Sequence, residues 1–512
     1  MLCLNSKPAI PPIALSPDTP CRIAEKIGPV HCVRGMANMI LGPLALLAFL
    51  GACSSPSEQP NVLFIAVDDL NADLGNYGHA LVQSPHIDRL ADRGMRFEHA
   101  YCQYPVCNPS RSSFLTGLYP EQTGVLSNAD SFRVRVPDIA TLPQWFRQHG
   151  YTTARVGKIY HYGVPRQIGT DGMDDADSWD LVINPRGIDR EVHDRIHTLQ
   201  EGQFGGTLSW LSLDPEEGEH TDALGATAAI DLMERYHPSE TGQPLFLAVG
   251  FYRPHTPFVA PSPYFDLYPL DTIDPVLEQD GDRDDIPVAA LADRPKQRDL
   301  TVEQRREIIQ AYYASITFMD AQVGRLLDAL DSLGLSESTI VVFVSDHGYH
   351  LGQHGLWQKG DLFEGSVRVP LVITVPGGEV TGVATEALVE LVDLYPTLVD
   401  LAALPRPEHL SGESLAPILE DPAHPGRTSA LTVAWSRAQW THPEMRGNPT
   451  LGYTIRTPRY RYTEWNEGRD GTELYDYDRD PEEFRNLAGE AEHAETMASL
   501  KAQLEARRRE AH

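Results

Sequence analysis

The sequence predicts an α/β fold, and three observations carry that prediction. Four short runs rich in apolar or β-branched residues are typical of buried strands, at residues 62–67, 152–156, 245–249 and 339–344. A helical pattern over residues 301–333 directly precedes the fourth strand, which makes an αβ unit. Charged residues follow each of the four strands, where open α/β sheets bind their ligands.

The long helix has recognisable ends. Thr301 and Gln304 form a capping-box pattern at its start. Gly334 is the residue type that commonly follows the last turn of a helix. We therefore expect one continuous helix of about nine turns, since each turn takes about 3.6 residues.

The pattern changes near residue 440. Residues 453–456 and 459–463 alternate like antiparallel strands, residues 473–476 form a further short strand, and a charged helix follows from about Glu492. We predict a large domain at residues 61–440 and a smaller C-terminal α+β domain with an antiparallel sheet at residues 441–512.

The first 53 residues are predicted to be a leader. The apolar run at residues 39–50 is too short to span a bilayer and fits the apolar region of a signal peptide. It ends in Leu50-Gly51-Ala52-Cys53, which resembles a bacterial lipobox. We expect an exported protein, periplasmic or at the cell surface, anchored by lipid at Cys53 with a tether at residues 54–60. A plain cleaved signal is the alternative to lipidation, and translation could begin at Met36 or Met39 instead of Met1.

The net charge and the cysteine content limit which partners and which reactive groups we expect. A net charge of -30 argues against nucleic acid as a partner, because phosphate binding needs a basic face. Apart from the leader and Cys53, two of the six cysteines remain, Cys102 and Cys107. A bridge between them would close a very small loop, so a single functional thiol at Cys107 is the sharper interpretation.

The polar residues after the predicted strands should meet at one edge of the sheet, because the carboxyl ends of parallel strands lie together. In chain order they are Asp68 and Asp69, Lys158 and His161, Arg253 and His255, and Asp346 and His347. Cys107 is predicted at a helix N-terminus, with Pro109 suited to a first helical position. Arg111, four residues on, shares the helix face of Cys107.

The segment Cys107-Asn108-Pro109-Ser110-Arg111, followed by Leu115-Thr116-Gly117, resembles the signature of the formylglycine-dependent sulfatase family. Residues 66–69, 157–161 and 345–348 resemble the family's first metal motif, its Lys/His motif and its second metal motif, and Lys359 resembles its second lysine. His347 and Arg253-Pro254-His255 make the pattern most similar to the iduronate-2-sulfatase-like subgroup. The resemblance covers about residues 61–485 and implies an alkaline-phosphatase-like fold with a mixed, mostly parallel sheet.

The resemblance also implies a mechanism. Oxidation of Cys107 by a maturation enzyme gives formylglycine, whose hydrate attacks the sulfur of a sulfate ester. Ca²⁺ is expected on Asp68, Asp69, Asp346 and residue 107, with His347 as a poor ligand or a supporting residue. Arg111, Lys158 and Lys359 would offset charge on the sulfuryl oxygens, His255 or Lys359 would protonate the leaving group, and His161 would assist release.

The implied substrate is a sulfated carbohydrate, with the 2-O-sulfate of a uronic acid unit in an acidic polysaccharide as the first choice. Its carboxylate would need a second cation, for which Arg253, Arg456 and Arg461 are candidates. A neutral sulfated sugar is the alternative. A direct role for His350 or His354, and stacking of Trp357 on a sugar, are weaker interpretations than structural roles.

Two other functions compete with a sulfatase. A phosphatase, phosphodiesterase or phosphonate hydrolase of the same superfamily would have a similar pocket, because tetrahedral anions resemble each other. A lipoprotein that only binds glycans is the second rival. The full set of charged residues around Cys107 argues against this non-enzymatic alternative.

Overall fold

A computed structural model describes residues 59–512 except 215 and 277. The predicted leader, the lipidation site at Cys53 and most of the tether lie outside the described residues. The strands are β1 Asn61–Asp68, β2 Met95–Tyr101, β3 Thr152–Gly157, β4 Leu181–Ile183, β5 His197–Thr198, β6 Ser209–Leu213, β7 Leu245–Pro254, β8 Phe258–Pro261, β9 Thr339–Ser345, β10 His350–Leu351, β11 Trp357–Gln358, β12 Arg368–Thr374, β13 Val383–Glu390, β14 Ala430–Trp435, β15 Leu451–Arg456, β16 Tyr460–Trp465 and β17 Thr472–Asp476.

The α-helices range from a single turn to 31 residues. They are α1 Pro85–Asp92, α2 Cys107–Thr116, α3 Pro120–Thr123, α4 Phe132–Arg135, α5 Leu142–Gln148, α6 Ile188–Glu191, α7 Thr221–Arg235, α8 Pro238–Thr241, α9 Ser262–Asp266, α10 Val302–Ser332, α11 Glu364–Val367, α12 Leu394–Leu401, α13 Ala416–Glu420, α14 Ala438–Thr441 and α15 Ala494–Glu510. Within the part of the chain that the structure describes, no helix combines the length and apolar character needed to cross a bilayer.

The central sheet has eight strands in the order β13-β2-β12-β9-β1-β7-β3-β4. Every neighbouring pair is parallel except the two that involve β12, so one strand runs against the rest. This mixed, mostly parallel α/β sheet confirms the predicted fold class. The four predicted strands are β1, β3, β7 and β9, and they lie side by side in the sheet.

Both faces of the sheet are covered, and β1 shows how. All eight of its residues are buried. Val62, Phe64 and Ala66 join one apolar core, and Leu63, Ile65 and Val67 join the core on the opposite face. The long helix α10 packs in the second of these cores. Its capping box is confirmed, because the Thr301 hydroxyl accepts from Gln304 N and the Gln304 side chain accepts from Thr301 N.

The C-terminal part forms a four-stranded antiparallel sheet, β14-β15-β16-β17, followed by α15; β15, β16, β17 and the helix were predicted, and β14 was not. The first strand of this sheet begins at Ala430, before the predicted boundary at residue 440. Its apolar residues, among them Val433, Ile455 and Leu474, belong to the same core as one face of the central sheet. The division of the chain at residue 440 stays a prediction.

Candidate active site

The strand order brings the predicted polar residues to one edge. Strands β9, β1, β7 and β3 are adjacent and parallel, so their carboxyl ends meet. Asp68 ends β1, Lys158 follows β3, His255 follows β7 and Asp346 follows β9. All four residues are at most 7% exposed, so the fold withdraws these polar groups from solvent.

Asp69 has an unusual backbone at this edge. Its φ is 65°, in the left-handed region that a non-glycine residue adopts at a cost. The Tyr312 hydroxyl donates to the Asp69 carbonyl at 2.7 Å, and the Asp69 N–H donates to Asp346 Oδ1 at 3.2 Å. Helix α10, which carries Tyr312, thus helps to fix the turn that brings the Asp69 carboxylate near Cys107.

Cys107 is the first residue of α2, which begins two residues earlier than the predicted start at Pro109. Its Sγ lies 3.4 Å from His347 Nε2, 3.3 Å from Lys359 Nζ and 3.9 Å from Asp69 Oδ1. The residue is 1% exposed. A group at this position faces a carboxylate, an imidazole and an ammonium at once, and the helix dipole favours negative charge there.

Arg111 is fully buried, and its guanidinium is engaged by the protein itself. Nε donates to Asp346 Oδ2 at 2.7 Å, and one terminal nitrogen donates to the carbonyls of Lys158 and Ile159 at 2.6 and 2.9 Å. The other terminal nitrogen lies 3.5 Å from Asp68 Oδ1. This differs from the expectation that Arg111 faces the sulfuryl oxygens. Each of its nitrogens already has a partner, so it orients two carboxylates.

The charges around Cys107 are balanced. We call six residues the active-site cluster: Asp68, Asp69, Asp346, Arg111, Lys158 and Lys359. Lys158 Nζ contacts Asp68 Oδ2, and Lys359 Nζ contacts Asp69 Oδ1. Three carboxylates face three cations, so the cluster can accept a divalent cation together with an anionic ligand without a large net charge.

Three histidines surround the thiol. His347 Nδ1 lies 2.9 Å from the Gly348 carbonyl, so it carries the proton and leaves Nε2 able to accept a proton or to bind a metal. His255 Nδ1 bonds the Thr256 carbonyl in the same way, and its Nε2 lies 3.8 Å from Asp69 Oδ2. His161 interacts with the Cys107 thiol, and its Nδ1 has no hydrogen-bond partner among the described residues.

The electrostatics favour the ionised forms of Cys107 and Asp68 and disfavour that of Asp346. Burial would raise the pKa of the Cys107 thiol, but Lys158, Lys359 and His347 hold that pKa well below its ordinary value. Burial would also raise the pKa of Asp68, but Lys158 and two further cations lower it below its ordinary value. Burial raises the pKa of Asp346 to about 6, although Arg111 opposes the shift, and burial lowers the pKa of His161.

The residues present fit a divalent metal ion. Asp69 Oδ2 is buried and has no hydrogen-bond partner among the described residues. Ligand atoms of Asp68, Asp346, His347 and Cys107 lie within 4.8 Å of one another, and so do those of a second group that contains Asp69 and His255. Carboxylate oxygens dominate this set, as at sites for hard cations.

The structure gives Trp357, His350 and His354 the structural roles that the sequence analysis preferred. Trp357 is 2% exposed and packs against Arg305, so it cannot stack on a sugar. His350 bonds Asp361 at 3.0 Å and His354 bonds Asp282 at 3.1 Å, both in the interior. These histidines are structural partners of buried carboxylates.

The three arginines expected to bind a substrate carboxylate are also engaged. Arg253 pairs with Asp189 at 2.6 Å and is 1% exposed. Arg456 and Arg461 both pair with Glu364 in the interior. None of the three can reach a ligand without breaking a buried ion pair.

Two functional candidates carried no sequence signal. Arg294 lies in a loop without a motif, and its terminal nitrogen donates to the Lys359 carbonyl at 3.1 Å. Tyr312 is one residue among many on the apolar face of α10, and only the fold shows that it holds Asp69. Spacing along the chain could not have identified either residue, because both act across the tertiary structure.

Comparison with known proteins agrees with this geometry. Residues 60–404 match the family model described as Sulfatase. The chain belongs to the sulfatase family. Residues 352–510 match a second model, described as the C-terminal part of N-sulphoglucosamine sulphohydrolase. As a member of this family, the sulfatase is a sulfuric ester hydrolase, which excludes the non-enzymatic alternative.

Relatives and solved structures support the assignment. The sulfatase is 36% identical to the iduronate 2-sulfatase of Homo sapiens over 80% of this chain and 86% of that protein. A structure described as a 2-O GAG sulfatase superposes with a TM-score of 0.67 at 24% identity, over 89% of this chain and 93% of the other. The phosphonate monoester hydrolase of Agrobacterium radiobacter gives a TM-score of 0.69 at 25% identity, over 88% and 96%. The fold is therefore the alkaline-phosphatase-like fold of sulfatases.

Proposed function

We propose that this sulfatase uses residue 107, after oxidation of Cys107 to formylglycine, together with a bound Ca²⁺, to remove 2-O-sulfate from uronic acid units of an acidic polysaccharide. The observation that carries the proposal is the position of Cys107. It begins a helix and contacts His347, Lys359 and Asp69. These neighbours suit an oxygen nucleophile beside an anionic ester better than a free thiol.

The modified residue would supply the nucleophile. A maturation enzyme with an external two-electron oxidant would break the Cβ–S bond of Cys107, release the sulfur as sulfide and leave an aldehyde whose oxygen comes from water or the oxidant; the hydrate of this aldehyde offers a hydroxyl for attack on the sulfur of the ester. Lys359 Nζ, 3.3 Å from Sγ, lies where it can stabilise negative charge on that oxygen. His161 interacts with the same atom and can accept a proton at Nδ1, which is unpartnered among the described residues.

Asp68, Asp69, Asp346 and His347 would hold the metal ion. Ca²⁺ is proposed because the donor set is mostly carboxylate oxygen and offers neither several thiolates nor the all-imidazole set of many zinc sites. When bound, the ion would lower the pKa of the attacking hydroxyl and polarise the ester oxygens. His347 can join through Nε2, since Nδ1 is held by the Gly348 carbonyl.

His255 is proposed as the acid for the leaving group. Its Nε2 lies 3.8 Å from Asp69 Oδ2, so a protonated ring would face a carboxylate. The Nε2 proton passes to the alkoxide as the sulfur–oxygen bond of the ester breaks. Lys359 is the alternative acid, because its ammonium lies 3.3 Å from the Cys107 sulfur.

The substrate proposal draws on the comparison with characterised relatives. The human relative at 36% identity is named an iduronate 2-sulfatase, and the match covers 80% of this chain. A uronate carries a carboxylate beside its sulfate, so the site has to accept two anionic groups. A neutral sulfated sugar is the alternative substrate, and it presents one anionic group.

Export and lipid anchoring at Cys53 are also proposed. The support is the apolar run at residues 39–50, which ends in a lipobox-like segment. Labelling with a palmitate analogue should mark the wild type and spare Cys53→Ala. Label retained by the variant would contradict anchoring at this residue.

Mass spectrometry and a substrate panel test the catalytic proposal together. Protein from a host that contains the maturation enzyme should show the aldehyde at residue 107 and release sulfate from 2-O-sulfated uronates. Release from neutral sugars alone would overturn the substrate and leave the enzyme class standing. An active protein with an unmodified thiol at residue 107 would overturn the nucleophile.

A phosphonate monoester hydrolase is the second candidate, because a structure of that description shares the fold at 25% identity. The higher identity to a sulfatase makes it the weaker one. Comparing kcat/KM for matched aryl sulfate and aryl phosphonate esters decides between them. A preference for the phosphonate would overturn the proposed substrate class.

A further inference from the structure

A cavity of about 450 Å³ lies against the two segments that carry Cys107 and Lys359. Val106, which precedes Cys107, and Gly360, which follows Lys359, both line it. The cavity is therefore bounded by the residues next to Cys107 and Lys359 in the chain, and its other lining includes the loop after β14. A cavity of this size can hold a sugar unit.

Arg437 is the cation of this cavity. Among the residues that the structure describes, its guanidinium has neither a hydrogen bond nor an ion pair, and it lies 5.9 Å from the centroid of the Trp440 ring. Gly360 makes its position possible, because a Cβ there would lie 1.9 Å from Arg437 Nε. The guanidinium thus packs against the backbone of Gly360, the residue that follows Lys359.

A second arginine lies close by. Arg294 has no ion pair among the described residues, and its terminal nitrogen donates to the Lys359 carbonyl at 3.1 Å. Burial and the nearby charge of Arg437 lower the pKa of Arg294 to about 9. Two poorly neutralised cations in one place are unfavourable, and a bound anion would relieve the repulsion.

The rest of the lining suits a carbohydrate. Trp440 is 64% exposed, and Trp435 also lines the cavity. Asn128 and Gln439 add amide groups that can bond hydroxyls. Exposed aromatic faces with a few polar groups are the usual lining of a site that binds a ligand of mixed polarity.

We propose that this cavity is a subsite for an acidic sugar unit, in which Arg437 pairs with a carboxylate or a second sulfate and Trp440 packs against the ring. The proposal rests on the proposed function, because it assumes that the reacting ester sits at residue 107. The second anion can belong to the sulfated sugar itself or to its neighbour in the polymer, and both sources present the same chemistry to a guanidinium.

Matched probes separate the two sources. The first pair is the methyl glycoside of a 2-O-sulfated uronic acid and its carboxyl methyl ester, which differ in one charge on the reacting ring. The second pair is the esterified unit linked to glucosamine with or without a 6-sulfate, which differ in one charge on the neighbour. Each pair is assayed with wild type, Arg437→Gln, Trp440→Ala and the control Arg446→Gln, which removes an exposed charge from the same segment.

We expect Arg437→Gln to lower the ratio of kcat/KM for charged over uncharged probe by about tenfold or more in one pair, mainly through KM. Trp440→Ala should raise KM for both members of that pair alike, because it removes a ring contact and no charge. Arg446→Gln should leave both ratios as in wild type. An equal loss on charged and uncharged probes in Arg437→Gln, or no loss in either pair, would overturn the subsite.

A failure of the proposed substrate is distinguishable from a failure of the subsite. If wild type hydrolyses none of the probes, the proposed substrate fails. Calorimetry with the 2-O-desulfated form of both probe pairs then tests Arg437 by itself. Weaker binding of the charged member alone in one pair by Arg437→Gln supports the subsite, and equal binding by wild type and variant in both pairs overturns it.

Discussion

Two buried charge clusters in this molecule look alike and differ in one respect. The active-site cluster surrounds Cys107. The second, which we call the Glu364 cluster, joins α11 to the C-terminal sheet and consists of Glu364, Glu483, Arg456, Arg461 and Tyr477. In the Glu364 cluster every carboxylate oxygen accepts a hydrogen bond, from Tyr101, Tyr477, Arg461 or a backbone N–H.

In the active-site cluster, one carboxylate oxygen accepts no hydrogen bond from the described residues. Asp69 Oδ2 has no hydrogen-bond partner among the described residues, and the backbone of Asp69 is held in a left-handed conformation. The comparison teaches that burial and charge do not identify a site by themselves. The open carboxylate oxygen of Asp69 is the difference, because a left-handed backbone also occurs at Glu483 in the Glu364 cluster, where every carboxylate oxygen has a donor.

The largest expected effect is on the nucleophile. Cys107→Ala should lower kcat by at least about a thousandfold, because it removes the attacking group, while the fold persists. The control Cys102→Ala removes the other buried thiol of the described residues and should keep kcat. Steady-state sulfate release and circular dichroism check both. Wild-type activity in Cys107→Ala would contradict the active-site assignment.

Metal binding gives the next largest effect. Asp69→Asn removes one anionic ligand and should lose bound calcium and about a hundredfold or more of kcat together. Elemental analysis of the purified variant is the measurement, with chelation and calcium re-addition on wild type as the control. A metal-free variant with full activity would show that the open oxygen of Asp69 has another purpose.

The Glu364 cluster should respond in stability. Arg461→Met leaves Glu364 and Glu483 without their shared cation and should destabilise the fold by about 3–5 kcal/mol. Urea unfolding measures the loss, and kcat per folded molecule should stay close to wild type. A variant that is stable but inactive would place this cluster in catalysis and remove the contrast between the two.

The smallest effect is a pH dependence. Burial would raise the pKa of Glu364, but Arg456 and Arg461 lower it from 4.5 to about 2. Its contribution to stability is therefore present above pH 4.5 and lost as the pH falls towards 2. Tm measured from about pH 3 to 7 should show a gap between wild type and Glu364→Gln that narrows in acid. A gap that is constant across this range would exclude the linkage.

Much of the site could be predicted from sequence because its residues follow strands. Once the strands were placed correctly, the location of four site residues followed: Asp68, Lys158, His255 and Asp346. The reason is that the carboxyl ends of neighbouring parallel strands lie at the same edge of the sheet. The partners of charged groups could not be predicted, because they come from distant parts of the chain. Arg461 looked free in sequence and is paired, whereas Arg437 belongs to no motif and packs against Gly360, the residue after Lys359.

The burial of Cys107 limits when this residue can be modified. A residue that is 1% exposed in the folded protein is closed to any modifying enzyme, so on the proposed chemistry oxidation has to precede folding. Oxidation of Cys107 and folding of the core then compete in each newly made chain. A chain that folds before Cys107 is oxidised stays inactive. The specific activity of the purified protein would then measure the fraction of chains that were oxidised before folding. Slower synthesis at lower temperature should raise that specific activity.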